Sequence, residues 1–170
     1  MTERVVQSQS KDSQLDSISS ELLGQALQCV TTKGEFHLAM SCASSLDDLY
    51  ARLMYDPDLR AMPWNKTHLS FFGSAACSKA AGDSICRALI AHSGILEEHV
   101  HFFSVPPSPL DCCICDGRAS SLLSNKGFLD TCGSLLVLAK NLSMLDSVRS
   151  VASSSVMHLF ILEPTIQENH

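Results

Sequence analysis

Several things are scarce in this sequence. No run of the roughly eighteen apolar residues needed to cross a bilayer occurs, so no membrane span is expected. The opening residues, MTERVVQSQSKDSQ, are polar and lack the apolar core of a secretory signal. They read as a mobile lead-in over residues 1–12, before a single domain over 13–165. No cluster of Lys and Arg appears. The 12 basic residues are scattered and the net charge is −6, which argues against a nucleic-acid partner. There is no internal repeat and no low-complexity tract beyond mild Ser enrichment.

What is present fits one domain. The 170 residues suffice for one core, and 45% of them are apolar. The 8 cysteines, without an export signal, imply reduced thiols and a cytoplasmic setting. The Asn-x-Ser/Thr sequons at Asn65 and Asn141 are then chance matches.

Periodicity supplies the elements. Leu15, Ile18, Leu22, Leu23, Ala26, Leu27 and Val30 mark one face of a helix over 15–30, capped by Asp12 or Ser13 and ended by Lys33-Gly34. A strand over 35–41 follows. Ser45 and Asp48 form a capping-box-like start to a second helix, which turns Leu46, Leu49, Tyr50, Leu53 and Met54 inward and stops at Asp56-Pro57. Further strands are expected at 67–72, 99–105, 110–115, 134–139 and 156–162. Helices are expected at 83–92, 118–124 and 143–152. Strands alternate with helices, and several strands are apolar throughout, as strands buried on both faces are. The fold class is therefore α/β: a Rossmann-like, open, mainly parallel sheet with helices on both faces.

In such a sheet, ligands bind beyond the carboxyl ends of the strands. Three such ends read Ser41-Cys42-Ala43-Ser44-Ser45, Gly73-Ser74-Ala75-Ala76 and Asp116-Gly117-Arg118-Ala119-Ser120-Ser121. Small residues there suit a ligand pocket and a plain tight turn equally. Cys112, Cys113 and Cys115 read as lining a buried strand, with Cys113 and Cys115 on one face and Cys112 on the other. They do not form a C-x-x-C motif, and no metal site is expected. Cys42 at a strand end has no His placed beside it by the sequence, so a Cys–His nucleophile is not favoured. His37, His68, His101 and His158 lie within strands and read as packing residues, as does Trp64 ahead of its strand.

GEFHLAMSCASSLDDLYARL, WNKTHLSFFGSAA, AAGDSICRALIAHSGILEEHVHFFSV, LDCCICDGRASSLL and SSVMHLFIL resemble, in order, segments of the 6-phosphogluconolactonase and glucosamine-6-phosphate isomerase family. The resemblance covers about residues 15–163 and implies that family's layered fold. It also implies a sugar-phosphate site at Ser41, Ser44, Ser45, Gly73, Asp116, Gly117 and Arg118. An active member would hydrolyse 6-phosphoglucono-1,5-lactone to 6-phosphogluconate in the pentose phosphate pathway, with no metal or other cofactor.

The sequence departs from the family at its working positions. The His of the family's Asp-Gly-His motif, its general base, is Arg118 here, and a guanidinium accepts no proton near neutral pH. Ser74-Ala75-Ala76 stands where the family has Asp-Glu-Arg, and Cys42 and Ala43 replace two phosphate-loop glycines. Glu163-Pro164 follows the late strand, with no later Lys. The family's final helix and strand are expected to be missing. The resemblance thus points to a degenerate, C-terminally shortened member without catalysis. Such a chain would bind a small phosphorylated sugar, a second copy of itself or a protein partner. An active lactonase using Asp116, or a His from elsewhere in the chain, as base is the rival reading, and Arg118 paired with Asp116 or facing solvent is the plainest role for that side chain.

Overall fold

The computed structural model describes residues 3–41, 44–72, 93–102, 109–116, 132–140 and 156–162. The expected helices at 83–92, 118–124 and 143–152 lie outside them, as do Cys42, Ala43, Gly73, Ser74, Ala75, Ala76, Gly117 and Arg118.

The described residues form seven strands in one parallel sheet: β1 (Glu3–Ser8), β2 (Phe36–Ser41), β3 (Thr67–Phe72), β4 (Val100–Phe102), β5 (Cys112–Asp116), β6 (Ser134–Ala139) and β7 (Val156–Leu162). Two helices, α1 (Lys11–Lys33) and α2 (Asp47–Tyr55), complete an α/β architecture. The strand order is β1-β7-β6-β5-β2-β3-β4. From β2 the chain adds strands towards one edge, β3 and then β4. It then returns to the other side of β2 and adds β5, β6 and β7 in the opposite direction. The direction of winding therefore reverses between β2 and β5.

The central strands are apolar because both faces are covered. Side chains alternate between two cores. Phe36, Leu38, Met40, Cys112, Ile114, Leu136 and Phe160 face the helices and pack with Ile18, Leu22, Leu49 and Tyr50. Ala39, Cys113, Cys115, Leu135, Val137, Leu159 and Ile161 form the core on the opposite face. The cysteines split as their alternation predicts.

Helix α1 begins earlier than its apolar stripe suggests. Ser10, not Asp12 or Ser13, is the N-cap, and its hydroxyl accepts from the Ser13 N–H at 3.2 Å. Gly34 ends the helix at φ 85°, a left-handed conformation that glycine adopts without a Cβ penalty, and its N–H donates to the Val30 carbonyl. Leu15, Ile18, Leu22 and Ala26 are buried, whereas Leu27, expected inward, is 42% exposed. The helix also buries Gln14, whose amide donates to the carbonyls of Ala139 (3.0 Å) and Phe160 (2.9 Å). That one side chain ties α1 to β6 and β7.

Two expectations need correcting. Residues 3–8 are not a mobile lead-in. They form β1, paired in parallel with β7 from Glu3↔Met157 to Ser8↔Leu162. As an edge strand β1 has one hydrogen-bonded neighbour and keeps Val5 40% exposed, so it does not need the apolar run of a central strand. Nor does Ser45 begin α2 through a capping box. Ser44–Leu46 is a 3-10 turn, Leu46 is the helix N-cap with no side-chain bond, and the Ser45 hydroxyl is used elsewhere. Asp56 and Pro57 do end α2, and Pro57 opens another 3-10 turn.

Candidate functional site

A reversal of winding leaves a crevice at the carboxyl ends of the two strands that flank it, because their connections depart in opposite directions. Here those strands are β2 and β5, and their last residues are Ser41 and Asp116. Both are buried, Ser41 to 2% and Asp116 to 3% exposure. The chain leaves β2 into the 3-10 turn, and this returns Ser45 across the crevice. Its hydroxyl donates to Asp116 Oδ2 at 3.0 Å. Ser45 and Asp116, from two distant parts of the sequence, thus meet at the carboxyl ends of β2 and β5.

The local backbone is fixed from beneath. Tyr50 projects from α2 into the helix-side core, is 1% exposed, and donates its hydroxyl to the Ser41 carbonyl. Asp116 lies on the same face as Cys112 and Ile114, the face that carries α1 and α2. Chemically the crevice offers a carboxylate, which accepts hydrogen bonds from the hydroxyls of a ligand, and a serine that orients it.

Of the residues expected at the site, the structure joins Ser45 to Asp116 and places Ser41 at the end of the neighbouring strand, its side chain alternating to the opposite face from Met40 and Ile114. Ser44 opens the 3-10 turn beside them. Gly73, Gly117 and Arg118 lie outside the described residues. The thiols expected to be inert packing groups are placed accordingly. Burial pushes Cys112, Cys113 and Cys115 above the ordinary thiol range, and the neighbouring Cys132 adds to the rise in each. They remain protonated near neutral pH and are poor nucleophiles.

This placement has a consequence for stability. A group whose folded pKa is raised contributes stability that is complete below its unfolded pKa and is lost as pH rises towards the folded value. The unfolded reference for a thiol is 9.0. Melting temperature is therefore expected to fall as pH is taken from about 8 to about 10.5, since only the unfolded chain ionises these thiols freely. Thermal melts across that range check it, and Cys115→Val should flatten the slope.

A second grouping, absent from the sequence expectations, lies at the opposite end of the sheet. Glu35, His37 and His68 place one ligand atom each within 4.8 Å of one another. The sequence hides this because the residues belong to two strands joined only through register, where His37 is the direct partner of His68. Aligning the first residues of adjacent strands is the signal that finds it.

Among the described residues no helix is long and apolar enough to cross a membrane. No protein-family model matches the sequence, and no curated protein matches it. Solved structures do match. A 6-phosphogluconolactonase from Thermotoga maritima superposes with a TM-score of 0.71 at 10% identity, covering 95% of this chain and 99% of that one. A 6-phosphogluconolactonase from Shewanella baltica gives a TM-score of 0.63 at 11% identity, covering 95% and 97%. The devB protein gives 0.67 at 11% identity, covering 95% and 96%. At this identity the likeness establishes the fold: the chain has the α/β architecture of these proteins, as its ordered motifs imply.

Proposed function

We propose that the chain binds a small phosphorylated sugar at the crevice between β2 and β5 and does not turn it over. The observation that carries this reading is a substitution beside a built carboxylate. Asp116 is buried and held by Ser45 at the switch point, while the sequence continues Gly117-Arg118 where the resembling lactonases have Gly-His. A guanidinium pairs with phosphate or carboxylate oxygens and takes no proton from water. A lost general base typically lowers a rate by about 10²–10⁴-fold. Ser74-Ala75-Ala76, in place of Asp-Glu-Arg, removes further charge from the same set of loops.

The test is direct. Purified protein incubated with 6-phosphoglucono-1,5-lactone is expected to open the ring no faster than an Arg118→Ala control. Calorimetric titration with 6-phosphogluconate is expected to show binding that Asp116→Asn weakens. Turnover clearly above the Arg118→Ala control overturns the reading.

The placement of Asp116 favours one rival, an active lactonase in which this carboxylate activates the water. That reading requires turnover in the natural sequence and its loss in Asp116→Asn.

A further inference from the structure

We propose that Glu35, His37 and His68 form a zinc-binding site at the amino-terminal edge of the sheet, separate from the crevice at its carboxyl edge. The two lie apart because His37 and Ser41 are at opposite ends of β2, roughly 13 Å apart at about 3.3 Å per residue.

The geometry begins with register. His37 and His68 are direct partners in the parallel β2–β3 pair, so their side chains stand on the same face. Their rings stack, with centroids 4.6 Å apart and an interplanar angle of 11°. Glu35, two residues before His37, shares that face. Its two oxygens meet the two rings separately, Oε1 at 2.9 Å from His37 Nε2 and Oε2 at 3.3 Å from His68 Nε2. Two imidazole nitrogens therefore converge on one carboxylate.

That arrangement calls for one cation held between neutral rings, not for two charged rings side by side. Two imidazolium rings stacked this closely would repel, and burial together with the neighbouring His99 and His37 already lowers the pKa of His68. Neutral imidazole is the form that ligates a metal. One divalent cation between the two Nε2 atoms would satisfy the carboxylate without crowding two ring charges together. Two His and one Glu form a three-ligand set of the kind that zinc accepts while leaving a fourth position for water.

The surroundings are built to hold His37. Its N–H donates to Asp111 Oδ2 at 2.9 Å, and its carbonyl accepts from the Asp111 N–H at 2.9 Å. Asp111 is itself bound by the Lys33 ammonium. His99, just before β4, stacks on the outer face of His68 with centroids 3.9 Å apart. Its Nδ1 is buried and has no hydrogen-bond partner among the described residues. Access comes from the Glu35 side: its side chain is 50% exposed, against 9% for His37 and 23% for His68.

The experiment uses the full chain, stripped of metal and kept reduced. Zinc is titrated in competition with a chromophoric chelator, and cobalt(II) is used as a spectroscopic stand-in. One zinc per chain is expected. Glu35→Gln, an isosteric change at a half-exposed position, is expected to weaken binding at least about tenfold. His68→Gln should do the same and serves if the first variant is perturbed. The cobalt spectrum is expected to lack thiolate charge transfer, since the ligands are nitrogen and oxygen. Zinc binding that both variants retain at full strength, a thiolate band from the cysteines, or no zinc uptake by the natural chain would each overturn the proposal. None of these outcomes bears on the sugar-phosphate reading, which titration with 6-phosphogluconate in the absence of metal tests separately.

Discussion

Replacing Tyr50 with alanine is expected to lower the unfolding free energy by about 3–5 kcal/mol, the range seen for removing large aromatic side chains from cores. Two losses combine. The ring lies in the helix-side core at 1% exposure, among the largest side chains buried there, and its removal leaves a cavity between α2 and the sheet. The hydroxyl also donates to the Ser41 carbonyl at the end of β2, so truncation strips a partner from a buried acceptor. Tyr50→Phe separates the two effects. It keeps the ring and should cost only about 1–3 kcal/mol, the penalty of the lost hydrogen bond. Denaturant unfolding of both variants, read as shifts in midpoint at constant slope, gives the comparison. Because Ser41 is a wall of the candidate crevice, Tyr50→Phe should also weaken any sugar-phosphate binding found there. Equal costs for the two substitutions would show that the ring contributes little.

The second large effect is expected at Gln14. This residue is 3% exposed, and its amide serves two carbonyls on different strands, Ala139 on β6 and Phe160 on β7. Gln14→Ala removes both donors at once and is expected to cost about 2–4 kcal/mol, on the basis of about 1–3 kcal/mol for each buried group left unmade. Gln14→Glu should be worse than alanine at neutral pH. It turns a carboxylate towards two carbonyl oxygens and offers them no proton. Acidification should then recover part of the loss, because a protonated Glu can donate to one of them. Chemical denaturation at pH 7 and at about pH 4.5, near the ordinary Glu pKa, reads that reversal. A Gln14→Glu variant as stable as the natural chain would remove the amide from the account.

Much of the architecture could be read from the chain. Strands β2, β3, β6 and β7 are apolar runs bounded by polar or small residues, and β2, β3, β6 and β7 match their expected spans to within a residue. Helix α1 was legible from its stripe, and its end from Gly34. Its beginning was not, because Ser10 caps the helix five residues before the first apolar contact at Leu15. Strand β1 escaped for a related reason: Val5 and Val6 are adjacent, so no alternation marks ERVVQS as a strand. What makes it one is the ladder with β7, a long-range fact.

The site was partly legible in the same way. Small residues at strand ends marked Ser41, Ser45 and Asp116. The crevice itself follows from strand order, and no local pattern says that β5 joins β2 on the side away from β3. Ser45 shows the limit of local rules. Its spacing to Asp48 suits a helix cap, yet its hydroxyl serves Asp116, 71 residues away in sequence. The Glu35, His37 and His68 group needs the β2–β3 register before it exists at all.

The pairing of β1 with β7 also sets the order in which this molecule can be assembled. Glu3 leaves the ribosome long before its sheet neighbour Met157. During translation β1 has no β7 edge to join, so the sheet cannot close until residues 156–162 have emerged. Pairings that distant in sequence slow folding, because a large loop must be closed before any contact rewards it. A ribosome stalled before residue 156 should therefore hold a chain whose first strand is still open to protease, while β2 and β3, close neighbours in sequence, have already met.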